Sequence, residues 1–302
     1  MLSIVSAAGQ REHDDLIEGK PSATAYRAAV RRAAHQLLDK PVIFDDPLAL
    51  TIVGGDRGSA VARDEISRAD SAGGAALRAF IAARARFAED RIAAAVEAGV
   101  RNVVVLGAGL DTFAYRNPFA DKGVLVYEVD HPATQAWKQQ RLQLTRIAVP
   151  ESVRYVAVDF AVDRLGDKLR EAGLDPSLPA FFTWLGVVPY LDDAAIAATL
   201  GVIATWRGGA EVVFDYAEPP DRVGMLQRLA FLTLAGRAAA LGEPIVSYFR
   251  PDEIEKKLGA LGFTVAANLA GPELGRLYAG GASALDNAAV GHVLHAVHPP
   301  SA

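Results

Sequence analysis

The sequence predicts an α/β protein in which a doubly wound, largely parallel sheet of seven strands lies beneath an N-terminal helical cap. Three observations carry this prediction. The first hundred residues read as helix and loop, with no convincing strand. From Val100 onward short apolar runs alternate with helical segments, the pattern of a parallel sheet covered on both faces. The first of these runs, Asn102 to Leu106, passes directly into a glycine turn, as the first strand of a ligand-binding sheet does.

Composition sets the outer bounds. The 302 residues are 51% hydrophobic and 22% charged, enough to build one large domain or two modest ones without a disulfide or metal staple. The absence of cysteine excludes thiolate zinc sites, catalytic thiols and iron–sulfur ligation. With 36 acidic against 31 basic residues and a net charge of -5, the chain lacks the basic stripe with which a nucleic-acid binder neutralises phosphates. Small-molecule chemistry is the expectation, with no nucleic-acid partner and no metal. The first ten residues carry no leading basic residue and are followed by Glu12, Asp14 and Asp15, unlike a secretory signal. No apolar stretch of about 18 residues is free of charge, so no membrane span is expected and a cytoplasmic location is.

The elements follow in order. Pro21-Ser22 is placed to cap a helix over 21–39, whose Ala25, Ala29, Ala33, Ala34, Leu37 and Leu38 recur at helical spacing. The segment Val42 to Leu48 breaks it with a turn, and the Gly/Arg/Asp-rich stretch 54–74 reads as a mobile loop or short helix. A second helix runs from about Ala75 to Ala98. Strands are expected over 102–106, 124–129, 153–157, 180–185, 211–216, 263–266 and 292–298. The last alternates only in part and suits an antiparallel or edge strand. A Leu- and Ala-rich helical insert, 219–242, follows the fifth strand. The division expected is a cap over residues 1–99 and a sheet domain over 100–302, with the insert joining the cap as a lid.

Three strand ends carry candidate chemistry. At the first, Gly107-Ala108-Gly109 would let the backbone approach a nucleotide, and the helix expected next would offer free N–H groups. The dinucleotide fingerprint requires a third glycine where Thr112 stands, which counts against a pyrophosphate and leaves a plain tight turn as the alternative. At the second, Glu128 and Asp130 lie about 20 residues beyond the turn, where a carboxylate can accept both hydroxyls of a ribose. They share a strand face by the period of two, and one of them is expected to cap the helix from Ala133. At the third, Asp159 can accept from the exocyclic amine of an adenine while Phe160 covers the ring; a solvated turn or cap is the alternative.

Taken in order, several pieces resemble the leucine carboxyl methyltransferase family, in its bacterial branch of S-adenosylmethionine-dependent methyltransferases. They are Phe44-Asp45-Asp46-Pro47, Arg84-Ala85-Arg86-Phe87-Ala88-Glu89-Asp90, the run from Val105 through Gly109-Leu110-Asp111-Thr112 to Tyr115-Arg116, Glu128-Val129-Asp130-His131-Pro132, Val158-Asp159-Phe160, Trp184 to Leu191, and Gly242-Glu243-Pro244. The resemblance runs from about Ser22 to Val297. It implies a class I methyltransferase (Rossmann-like) seven-stranded sheet with an N-terminal helical cap, six strands parallel and the seventh inserted antiparallel. It implies S-adenosyl-L-methionine as cofactor, held by Arg84, Gly107, Ala108, Gly109, Asp111, Glu128, Asp130, His131, Asp159, Phe160 and Leu185. In that pattern Arg84 reaches the methionine carboxylate, with Arg86 as a rival; Gly107 to Gly109 border the methionine, Asp130 takes the ribose, and Asp159 with Phe160 binds the adenine.

One departure bears on the acceptor. Many members of the family carry a Glu where this chain has Leu185, and a Leu side chain cannot hydrogen-bond the cofactor's amino group. That contact is absent or supplied elsewhere, and methylation of a protein terminus is not carried over. The resemblance implies O-methylation of a carboxylate or hydroxyl on a small metabolite. Methyl transfer is an in-line displacement, so the protein has to align the acceptor and exclude water. An ionised carboxylate needs no base. A hydroxyl would be helped by one, and His131, Tyr190 and Tyr216 are the candidates, none of them assigned. Trp184 is expected in packing. The competing readings are an NAD(P)-dependent oxidoreductase and a non-catalytic methyltransferase-like binding protein.

Overall fold

Alternation along the strands divides the molecule into two cores. In β1 (Asn102–Leu106) Val103 and Val105 enter one apolar cluster and Val104 and Leu106 the other, since successive side chains leave a strand on opposite sides. All five residues are buried, so β1 needs cover on both faces. The structure, a computed structural model, describes residues 23–54, 72–160, 162–221, 223–239, 244–281, 283–288 and 290–301. The expectations for Met1 to Ser22, for most of 54–74 and for Gly242-Glu243 lie outside the described residues.

Before β1 come α1 (Ala23–Leu38), the short α2 (Ala49–Ile52) and the long α3 (Ala72–Glu97). After it follow β2 (Leu125–Asp130), α4 (Pro132–Leu144), β3 (Val153–Ala157), α5 (Leu165–Glu171), β4 (Ala180–Trp184) and α6 (Asp193–Ala204). The chain continues through β5 (Ala210–Ala217), α7 (Met225–Ala239), α8 (Pro251–Ala260), β6 (Thr264–Ala270), α9 (Gly271–Tyr278) and β7 (Gly291–His298). The seven expected strands are all present, and α7 occupies the helical insert. The sheet order is β3-β2-β1-β4-β5-β7-β6. The five strands from β3 to β5 run parallel, and β7 is antiparallel to both its neighbours. β7 is therefore an interior strand, not an edge, which explains its incomplete alternation: a run of five residues, His292 to Ala296, is buried.

One face packs Leu165 and Leu169 of α5, Ile196, Leu200 and Ile203 of α6 and Ile254 and Leu258 of α8 with Val104, Tyr127, Phe182 and Phe214 of the strands. Trp184 lies in this core, edge-on to Phe214 at 6.2 Å. The opposite face departs from expectation. No α-helix connects β1 to β2; the crossing holds only single 3-10 turns at Phe113–Tyr115 and Ala120–Lys122. The space is filled instead by the N-terminal segments. Ala29, Val30 and Ala33 of α1, Ile52 of α2 and Phe87 and Ile92 of α3 share one core with Val103, Val105, Val126 and the buried Phe113 and Tyr115. The helices preceding β1 thus do the work of the missing crossover helix, and the core runs unbroken across position 100.

Buried charges tie those segments together. Asp46, fully buried in the turn after α1, forms ion pairs with Arg32, whose Nε is 2.7 Å away, and Arg116, whose Nε is 3.3 Å away, and accepts the Thr112 hydroxyl at 2.6 Å. Arg116 also forks onto Glu89 of α3, with Nη1 at 2.8 Å from Oε2, and Arg32 donates to the Leu110 carbonyl at 2.8 Å. A second knot joins α1 to α3. His35 accepts the Ile43 N–H on Nε2 at 2.9 Å, which leaves Nδ1 to donate to Asp39 at 2.8 Å, and Asp39 in turn receives Arg78. Among the described residues no helix is long and apolar enough to cross a membrane, and no cluster of His, Asp and Glu is arranged to hold a metal.

Burial alone would raise the pKa of Asp46, but Arg32, Arg116 and the Thr112 hydroxyl outweigh it and hold the group below the ordinary Asp value of 3.8. A carboxylate whose pKa is depressed in the folded state stabilises the fold above its unfolded value and ceases to do so as pH falls through the folded one. Asp46→Ala, which strands two guanidiniums, is expected to cost about 3–5 kcal/mol at neutral pH. The difference from wild type should shrink in acid, where Asp46 itself is protonated. Urea unfolding of both proteins at neutral and acid pH checks this; a pH-independent difference would contradict it.

Candidate active site

The chain leaves β1 outward toward β2 and β3 and returns on β1's other side as β4, so the strand order reverses between β1 and β4. Carboxyl ends of strands at such a reversal open a crevice. Here a cleft is lined by Ala85, Ala88, Glu89 and Ile92 of α3, Val105 of β1, Thr183 of β4, and Asp111, Phe113 and Leu185 from the following loops.

The glycine turn is shaped by close approach. Gly107 and Gly109 have φ of +66° and +43°, in the region that favours glycine. A Cβ on Gly107 would stand 2.4 Å from Cγ2 of Val187, and one on Gly109 would meet Cβ of Ala25 at 3.0 Å. Both glycines therefore let the turn fit against the loop after β4 and against α1. The N–H groups of Gly107 and Ala108 bond the Val129 carbonyl, extending the β1–β2 pairing into the turn. Asp111 folds back to accept the Phe113 N–H at 2.8 Å and keeps 29% of its side chain exposed at the cleft.

Asp130 ends β2 half-buried, with Oδ2 accepting the Gly109 N–H at 2.5 Å and Oδ1 the His131 N–H at 2.7 Å. Burial pushes its pKa up against the pull of those donors. Glu128 has a different fate from its partner on the same strand face. Two residues deeper, it is sealed from the cleft, with Lys138 of α4 at 2.7 Å and the Tyr115 hydroxyl at 2.7 Å, and burial raises its pKa too. Lys138 also reaches the Ala108 carbonyl at 3.4 Å, so the pair braces the glycine turn from below. Neither acid caps α4. His131 does, accepting the Ala133 N–H on Nδ1 at 3.2 Å.

Beyond β3, Asp159 is half-buried and Phe160 is 58% exposed beside it. The structure separates the two arginines of α3. Arg84 is largely buried and pairs with Asp215 of β5 at 2.6 Å, next to Gly186. Arg86 lies on the surface with Asp90 at 2.8 Å. Of the base candidates, Tyr216 is buried with its hydroxyl on Asn268 at 2.9 Å, and burial raises its pKa well above the usual range. Sequence reasoning gave no role to Asp46, Glu89, Arg116, Lys138 or Asp215. Asp215 had a visible signal, a lone acid within the apolar run Val212-Val213-Phe214-Asp215-Tyr216.

Gly107→Ala is expected to lose about 1–2 kcal/mol from the left-handed conformation alone, with a further loss from the Val187 contact that Val187→Ala would partly restore. Urea titrations of the two single variants and the double check it, and additive losses would show that the contact is not the cause.

Residues 25–204 match the leucine carboxyl methyltransferase family. The chain is 28% identical over 305 residues to "Putative S-adenosyl-L-methionine-dependent methyltransferase YktD" of Bacillus subtilis, covering 93% of this chain and 98% of that one. A relative of the same description in Mycobacterium tuberculosis, Rv3399, is 39% identical over 55% of this chain, which spans 47% of that protein's length. The solved structure of a "putative methyltransferase" from Thermobifida fusca covers 94% of this chain and 97% of its own at a TM-score of 0.59 and 15% identity, a likeness of fold. The sheet is that of the class I methyltransferases. With more than half of its length matched, the chain belongs to the leucine carboxyl methyltransferase family.

Proposed function

We propose that this protein is an S-adenosylmethionine-dependent O-methyltransferase whose acceptor is a carboxylate on a small metabolite. Methyl transfer as such goes with the family. The observation that carries the cofactor reading is Asp130, held at the end of β2 by two backbone N–H groups, one to each carboxylate oxygen. Each oxygen retains lone-pair capacity for one hydroxyl of a ribose. Phe160, exposed at the end of the neighbouring strand, and Asp159 suit an adenine; Arg84, at the far side beside Gly186, suits a carboxylate. The chain's residues therefore fit the group. When bound, the cofactor supplies a methyl group activated by its sulfonium.

The remaining work is positional. The apolar cleft wall of Ala85, Ala88, Ile92 and Leu185 excludes water, and Glu89 and Asp111 supply carboxylates to the same cleft in which Leu185 supplies none. A carboxylate acceptor is favoured because two of the three base candidates are engaged elsewhere, Tyr216 with Asn268 and His131 in capping α4. An acceptor already ionised near neutral pH needs neither. The helices before β1 and α7 serve in this reading as the cover of the acceptor pocket. The dinucleotide reading is disfavoured by Thr112, whose hydroxyl is committed to Asp46, and by the missing helix after the glycine turn.

Titration calorimetry with S-adenosylhomocysteine is expected to show binding, and Asp130→Asn to weaken it about tenfold, the loss expected for one charge-assisted hydrogen bond. No heat at millimolar ligand would overturn the cofactor assignment. Incubation with methyl-labelled cofactor and a metabolite extract should yield label released as methanol by mild base, as from a methyl ester. Label resistant to base would reject the carboxylate.

A further inference from the structure

We propose that Asp215 is a positioning residue that fixes the guanidinium of Arg84 for the amino-acid carboxylate of the cofactor; this rests on the cofactor reading above. Asp215 is 3% exposed and lies in β5 between Phe214 and Tyr216. A carboxylate at such a position is costly unless both oxygens are satisfied. Oδ2 accepts from Nη1 of Arg84 at 2.6 Å, and Oδ1 accepts the Gly186 N–H at 2.5 Å. One buried group thus sets both a side chain from α3 and the turn by which the chain leaves β4.

Gly186 completes the seat. Its φ is +73°, and a Cβ there would stand 2.7 Å from Nη2 of Arg84 and 3.3 Å from Cζ. The guanidinium rests against a bare α-carbon, next to Leu185 of the cleft wall. Nη1 is committed to Asp215, and among the described residues the Arg84 side chain makes no other hydrogen bond, so Nε and Nη2 keep their donors. An arginine on a flexible stem must lose rotamer freedom when it binds; one already held in place has lost it beforehand. Because the pair is neutral as a whole, the attraction it offers a carboxylate is directional, through aligned N–H donors.

Two ligands separate this role from a structural one. S-adenosylhomocysteine carries the amino-acid end; 5′-methylthioadenosine keeps adenine and ribose and lacks it. Asp215→Asn is expected to raise the Kd for S-adenosylhomocysteine about tenfold, as for one misplaced charge-assisted hydrogen bond, and to leave the Kd for methylthioadenosine unchanged. Arg84→Ala should show the same selective loss, and the double variant no more than Arg84→Ala alone. Should Asp215→Asn fail to fold, Gly186→Ala, which displaces the guanidinium from its other side, is expected to give the same pattern. Equal losses for both ligands, unchanged homocysteine binding, or additive losses in the double variant would overturn the role of Asp215. A wild-type protein that binds neither ligand would overturn the cofactor reading itself, whereas one that binds both equally would overturn only the carboxylate seat.

Discussion

The carboxylate of Asp46 is the group on which the arrangement of the site depends. It is fully buried, and a lone anion there would be expelled or protonated. Two guanidiniums and a hydroxyl keep it charged, and they come from two distant parts of the chain: Arg32 from α1, Arg116 and Thr112 from the loop after the glycine turn. Arg116 then carries the link to Glu89 on α3. Because Arg32 also holds the Leu110 carbonyl, the path of the chain just past Gly109 is set by a helix that precedes the sheet. The glycine turn is therefore shaped as much by the helices before the sheet as by β1. A buried cluster of this kind contributes little net stability compared with an apolar core, but it tolerates only one relative placement of its parts.

The two acids of β2 show how neighbours, not residue type, divide the roles. Glu128 and Asp130 share a strand face and differ in depth by two residues. Glu128 meets the ammonium of Lys138 and the Tyr115 hydroxyl in the interior, whereas Asp130 accepts from two backbone N–H groups at the strand's end. The first is closed into the scaffold and the second stays half-buried at the strand's end. Lys138 ties Glu128 to the glycine turn above, since its ammonium touches both Glu128 and the carbonyl of Ala108.

The strands were legible in the sequence because buried parallel strands are short, continuous apolar runs, and their ends mark the crevice. Asp130, Asp159 and the glycine turn could be placed at that edge for the same reason. What could not be read was whatever depended on contacts between distant segments. The helix expected after β1 is absent because the apolar residues of α1, α2 and α3 already cover that face, a competition that local periodicity does not register. The cap of α4, expected from one of the two acids of β2, is His131 because Asp130, a better cap by type, is held by its own partners. Family motifs such as Phe44-Asp45-Asp46-Pro47 and Tyr115-Arg116 were visible as separate words. Their meaning lies in a meeting of side chains that no spacing along the chain reveals.

The antiparallel strand carries a consequence for how the protein is made. β7 lies between β5 and β6, and each of those strands has one edge that only β7 can pair. During synthesis, β5 emerges well before its partner, and its open edge is exposed while α7, α8, β6 and α9 are being added. The sheet cannot close until the strand from Gly291 to His298 has been made, so completion of the fold is a late, long-range event. Until then the nascent chain presents an unpaired apolar edge, the kind of surface that chaperones shield and that other chains extend.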